Sequence, residues 1–217
     1  MNPVPVFRYI CAMQIRVFKF GGASNNNADG IRNTAGILRR FAGEPLLVVV
    51  SAMGKTTNAL ETLLEDYLRR DPIAVVESFN RVKDFHFDIL GSLFVDSSHP
   101  VYGEVGSLFD QLRGYIRKGH LYDTDGPGRD FEYDQIVSFG ELFSSAIMYH
   151  YLQSQGFPVH QFDVREMIRT DSTFRDARVD WALTETLIRR TIHAFFGQNT
   201  GQGAIALVAR AGDAAVL

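Results

Sequence analysis

Lys19, Gly21 and Gly22 stand together near the end of the stretch Ile15–Ser24, which reads IRVFKFGGAS. A glycine pair at a strand-to-helix turn exposes backbone N–H groups, and the N-terminus of the next helix adds partial positive charge. Lys19 sets a full charge beside them. That combination suits a phosphate group. The same residues also make an ordinary βα turn with a solvated lysine, and the G-x-x-x-x-G-K-[ST] spacing of a standard P-loop is absent.

A second polar turn, Ser51-Ala52-Met53-Gly54-Lys55-Thr56-Thr57-Asn58, follows the apolar run Leu46–Val50. Thr57 and Asn58 either bind a polar ligand or cap the helix that follows. Ligands of open parallel sheets bind at the carboxyl ends of the strands, so polar turns at adjacent strand ends point to one site. Glu141 lies in IVSFGELFSSAIMYHYL, Ile136–Leu152. Its capping-box spacing to Ser138 gives the simpler account, and the functional alternative is a carboxylate at a helix start that faces a cleft and pairs with a cationic group. A further polar segment, Asp163–Thr170, follows the strand-like Val159–Phe162. His86 and His99 have no metal-ligand spacing, and His86 reads as a packing histidine.

These residues need elements to position them. Val and Phe favour a strand over Ile15–Phe20, and LLVVV reads as a parallel strand buried on both faces. Ala28, Ile31, Ala35 and Leu38 recur at helical spacing, with Ser24 and the asparagines after it as caps. Leu60, Leu63, Leu64, Tyr67 and Leu68 mark a second helix. Asp71–Gly119 reads as mostly helical, broken at Asp96–Pro100. Tyr122–Asp134, with Gly126-Pro127-Gly128 and scattered acids, reads as a loop; those acids are weak evidence for a divalent cation. Asp180–Phe196 reads as a helix capped by Asp180, Gly197–Gly203 as a turn, Ala204–Ala209 as a strand, and Arg210–Asp213 as the start of a turn or helix.

Composition narrows the function. With 217 residues, 46% of them hydrophobic, the chain fits one α/β-sized domain with a sizeable core. A net charge of -3 with no evident basic face argues against nucleic acid and anionic membranes as partners. The single cysteine, Cys11, allows neither an internal disulfide nor a thiolate metal cluster. No apolar run reaches transmembrane length, and the opening residues lack a signal peptide's basic region, so cytoplasm is the expected location. Residues 1–13 read as an extension, with Met1 or Met13 as the start, and 14–217 as the domain.

Four blocks, in order, resemble the catalytic domain of aspartate kinases in the amino-acid-kinase family. They are Lys19–Ser24, Ser51–Asn58, Phe139-Gly140-Glu141, and Asp163-Val164-Arg165 followed by Thr170. The resemblance implies a three-layer αβα sandwich with a mainly parallel central sheet. It implies transfer of the γ-phosphoryl group of Mg-ATP to the side chain of L-aspartate, giving 4-phospho-L-aspartate for lysine, threonine and methionine synthesis. On the same ground Lys19 neutralises the phosphoryl group in transit, while Gly21 and Gly22 donate backbone N–H groups. Ser51, Thr57 and Asn58 lie near the phosphates and aspartate, and Glu141 meets the substrate amino group. Arg210 matches the arginine that grips a substrate carboxylate, and Asp213 the catalytic acid nearby. ATP and Mg²⁺ are the expected cofactors, L-aspartate the partner, and the helical section a face for a homo-oligomer.

The sequence also departs from that pattern. Ala23 replaces a usual threonine, and Ala209-Arg210-Ala211-Gly212-Asp213 lacks the serine of the family's glycine-arginine-x-glycine-serine-aspartate block. The family's nucleotide-binding segment and regulatory ACT domains are not found before Leu217. The reading is therefore of an incomplete amino-acid-kinase-like fold with weak ATP binding. The alternative is a non-catalytic relative that binds an amino acid, an anion or a partner subunit.

Overall fold

The computed structural model describes residues 14–119 and 126–209. Four strands form one sheet: β1 (Arg16–Phe20), β2 (Leu46–Val50), β3 (Val159–Phe162) and β4 (Ile205–Ala209). Their order is β1-β2-β4-β3, and every pairing is parallel. Phe20 pairs with Val50, and Val50 with Ala209, so the carboxyl ends of β1, β2 and β4 finish level. The strand expectations hold to within a residue of their bounds.

Each strand presents alternate residues to opposite sides. Phe20, Leu46, Val48, Val50, Ile205 and Leu207 join the larger core, built with α1 (Ala28–Arg39), α2 (Thr56–Leu68), α3 (Pro72–Leu93), α4 (Pro100–Lys118) and α6 (Phe139–Ser154). On the other side Ala206 and Val208 pack with Met167, Leu187, Ile192 and Phe196, and Leu47 and Val49 lie against that cluster. This second layer comes from α7 (Trp181–Ile188) and α8 (Ala194–Gln198). The result is the expected three-layer αβα sandwich with a parallel central sheet.

Local chemistry sets the helix starts. The Asn27 side chain accepts from Gly30 N at 2.9 Å and caps α1. Asp71 caps α3 ahead of Pro72, whose missing N–H costs nothing in a first turn. Asp180 caps α7 as expected.

Two expectations are corrected. Residues 127–134 are not a loop: Pro127–Val137 is a helix, α5, with Phe131, Ile136 and Val137 buried. Pro127 occupies a position that favours helix initiation, directly after Gly126 at φ 55°. The acids of this stretch are engaged in the fold. Glu132 accepts from Tyr115 Oη at 2.7 Å, and Asp134 accepts from Arg175 N at 3.1 Å. Nor is 180–196 one regular α-helix. A π-helical stretch, Arg189–His193, joins α7 to α8. Leu187 and Ile192 are five residues apart, and the i→i+5 turn returns both to the sheet.

Candidate functional site

The turns after β1 and β2 are pressed together. Gly54 N donates to Gly22 O at 3.0 Å, and Ser51 N to Phe20 O at 3.1 Å. A Cβ on Gly22 would lie 2.7 Å from Ala52 O and 2.9 Å from Gly54 O, so only glycine fits without movement. Gly21 has open space there instead. The start of α6 closes the third side. A Cβ on Gly140 would lie 3.0 Å from Ala52 Cβ and 3.3 Å from Thr56 Cγ2. Ser144 Oγ donates to Ser51 O at 2.7 Å. The segments 19–24, 51–58 and 139–141 therefore converge at the ends of β1 and β2.

Thr57 and Asn58 occupy the first turn of α2, after Lys55 as its uncapped start, so their capping alternative is overturned. In that turn Thr56 N donates to Met53 O at 2.9 Å and Ala59 N to Lys55 O at 3.1 Å; the first N–H groups of a helix have no partner further back within it. The capping box at Ser138 does not form either. Ser138 is itself helical, and its hydroxyl donates to Gln135 O at 3.4 Å. Glu141 is half-buried in the first turn of α6. Lys19 is exposed and alternates with Phe18 and Phe20, which places it on the α7–α8 side of the sheet. Asp163 and Arg165 pair with each other at the end of β3, and Thr170 bridges to Val179. Arg210 and Asp213 lie outside the described residues.

Two buried polar atoms at this end make no hydrogen bond to the described residues: Ser51 Oγ and Asn25 Nδ2. Buried polar atoms are seldom left so, and an unpaired one costs about 1–3 kcal/mol. Asn25 is fully buried, held by Thr34 Oγ1 donating to its Oδ1 at 2.8 Å. In the sequence it looks like one more capping asparagine, a role that Asn27 alone fills.

His86 is a packing residue, as expected. It is fully buried against Phe85, Phe109 and Phe143. Its Nδ1 donates to Val82 O at 2.7 Å, which leaves Nε2, 3.5 Å from Thr56 Oγ1, as acceptor. Burial pushes its pKa down to about 4 against the opposing pull of the Val82 carbonyl. A neutral imidazole thus supports the first residue of α2.

Beside α2 runs a cavity of about 470 Å³, lined by Asn58, Glu61, Glu65, Arg129, Tyr133 and Arg175 among others. Tyr133 Oη donates to Glu61 Oε1 at 2.9 Å, and Arg129 pairs with Glu65. Sequence patterns give no sign of it, because its walls come from segments far apart in the chain. Among the described residues no group of three or more His, Cys, Asp or Glu side chains could hold a metal, and no helix is long and apolar enough to cross a membrane.

The family model for the amino acid kinase family matches residues 14–205. The chain belongs to the amino acid kinase family. Within it the chain is aspartokinase-like. It is 28% identical over 207 residues to the aspartokinase of Chlamydia muridarum, covering 91% of this chain and 43% of that protein. It is 31% identical over 156 residues to the chloroplastic bifunctional aspartokinase/homoserine dehydrogenase 1 of Zea mays, covering 70% and 16%. Its structure superimposes on E. coli aspartokinase III in complex with aspartate and ADP with a TM-score of 0.75 at 25% identity, covering 92% of this chain and 42% of that one. The Clostridium acetobutylicum aspartate kinase shares the fold, with a TM-score of 0.66 at 18% identity over 94% of this chain and 42% of that one. The chain spans less than half the length of these relatives.

Proposed function

We propose that the chain transfers the γ-phosphoryl group of Mg-ATP to the side-chain carboxylate of L-aspartate, giving 4-phospho-L-aspartate and ADP. The observation that carries this reading is the convergence of the 19–24, 51–58 and 139–141 segments, with the Ser51 hydroxyl buried at their junction and without a hydrogen-bond partner among the described residues. The relatives' names supply the substrate: aspartokinase III was crystallised with aspartate and ADP.

The nucleophile needs no strong base, because an aspartate side chain with a pKa of about 3.9 is ionised near neutrality. One carboxylate oxygen forms a bond to the γ-phosphorus as the bond to the bridging β–γ oxygen breaks, and ADP takes that electron pair. The difficulty is that two anions must meet, so catalysis is positioning and charge neutralisation. Lys19 brings a compact positive charge over the strand ends, and the N–H groups of Gly21 and Gly22 donate to phosphate oxygens. Ser51 Oγ donates to the same group and so gains the partner it lacks. Thr57 and Asn58 orient the acceptor from the first turn of α2, and the Glu141 carboxylate takes its ammonium. Mg²⁺ enters with ATP as part of the substrate and spreads the phosphate charge. No part of this reading rests on Arg210 or Asp213. The product would feed lysine, threonine and methionine synthesis in the cytoplasm.

The test is incubation with millimolar Mg-ATP, L-aspartate and hydroxylamine, which traps the acyl phosphate as a hydroxamate. The reading predicts aspartyl hydroxamate in step with ADP. Aspartate binding by calorimetry with no hydroxamate at any ATP concentration would replace it with a non-catalytic binding role.

A further inference from the structure

We infer that the cavity between the start of α2 and the middle of α3 is a binding site for a small aliphatic monocarboxylate that carries no amino group. It stands apart from the phosphoryl-transfer reading above and does not depend on it.

The cavity holds about 160 Å³ and is lined by Lys55, Thr56 and Ala59 from the start of α2 and by Arg81, Val82 and Phe85 from α3. Ala59, Val82 and Phe85 make its interior apolar. Thr56 adds little polarity, because it is buried and its hydroxyl is 3.5 Å from His86 Nε2. Two cations border this interior. The Lys55 and Arg81 side chains are exposed, and neither forms a hydrogen bond or an ion pair with the described residues. No carboxylate side chain lines the cavity.

Those features select a ligand. A guanidinium and an ammonium beside an apolar hollow suit a carboxylate attached to a hydrocarbon body. With no acid in the walls, an ammonium on the ligand would meet two like charges and no partner, which disfavours an amino acid. The space is that of roughly five waters at ~30 Å³ each, so the body has about five heavy atoms.

The walls are firm enough to discriminate. Val82 is buried, and Ala59 and Phe85 pack against the larger core. The Phe85 ring meets His86 edge-on, with centroids 5.1 Å apart. A Cβ on Gly54 would lie 3.3 Å from Phe85 Cζ, so the ring also abuts the turn after β2. A ligand seated on Phe85 therefore shields that turn as well.

The test measures binding of 4-methylpentanoate, L-leucine and acetate to the whole chain by calorimetry. The first two share a carbon skeleton and differ by the amino group, while acetate keeps the carboxylate with almost no body. The inference predicts saturable binding of 4-methylpentanoate, about tenfold or more tighter than that of either comparison ligand. Arg81→Gln should weaken it about 3–10-fold, and Arg81→Glu by roughly 30-fold or more. Arg81 is exposed, so both variants should melt within ~0.5 kcal/mol of wild type. Hydrogen exchange locates the ligand, with protection expected over 54–59 and 81–86. Equal affinity for 4-methylpentanoate and L-leucine, binding unchanged in R81E, protection confined to other segments, or no saturation at tens of millimolar would each overturn the inference.

Discussion

Ser51 and His86 illustrate two uses of a buried polar side chain. Ser51 Oγ has no partner among the described residues, so its removal should cost the fold little. S51A is expected to melt no lower than wild type, since losing an unpaired hydroxyl relieves about 1 kcal/mol or more. Its phosphoryl transfer should nevertheless fall about tenfold, because one hydrogen bond to the moving group is gone. Thermal melting beside hydroxamate formation checks both halves. His86 is held neutral by burial, with a pKa near 4 in place of 6.5. The unfolded chain therefore takes up the proton more readily than the folded one. Stability is full above pH 6.5 and is lost as pH falls from there towards 4, by roughly 3 kcal/mol in all. Urea unfolding of wild type and H86L across that window should show the slope in wild type and a flatter difference in the variant. Equal slopes would mean that His86 is not the group responsible.

Elements explain why some of this is legible in the sequence. LLVVV is long enough and apolar enough to be a buried strand on any reading, and Asp71 and Asp180 announce helices by their caps. The glycine pair marks the first turn, but not that its second member alone is sterically required. That follows only from the approach of the second turn, through Ala52 O and Gly54 O. G22A should therefore destabilise by about 1–3 kcal/mol, as overpacking does, while G21A stays within ~0.5 kcal/mol of wild type. Denaturant midpoints of the two variants separate these outcomes. The sequence hides α5 because Gly126-Pro127-Gly128 carries strong loop signals locally, while the burial of Glu132 and Asp134 depends on partners at Tyr115 and Arg175. Thr57, Asn58 and Glu141 all have plausible capping roles. Only the backbone at Lys55 and Ser138 shows that none is used.

The whole molecule is lopsided about its sheet. One side carries the large core of α1–α4 and α6, and the other the small cluster under α7 and α8. Trp181, 74% exposed, and Leu183, 45% exposed, leave that thinner layer with little buried area. Segments that bury little apolar surface open locally at the lowest free-energy cost. Hydrogen exchange should therefore open α7–α8 well before α2 and α6, and added L-aspartate should slow exchange in the first turns of α2 and α6 specifically. Uniform protection across both layers would contradict this division. It bears on the proposed function, because the residues proposed to orient the acceptor sit on the well-packed side, whereas Lys19 emerges on the thinner one.

That placement makes Lys19 the point on which the proposed mechanism turns. The decisive measurement is ATP-dependent aspartyl hydroxamate formation by wild type and K19A, with melting curves of both. Lys19 is exposed, so the account predicts unchanged melting and a loss of turnover of about 100-fold or more. A folded K19A protein that forms hydroxamate at close to the wild-type rate would contradict it.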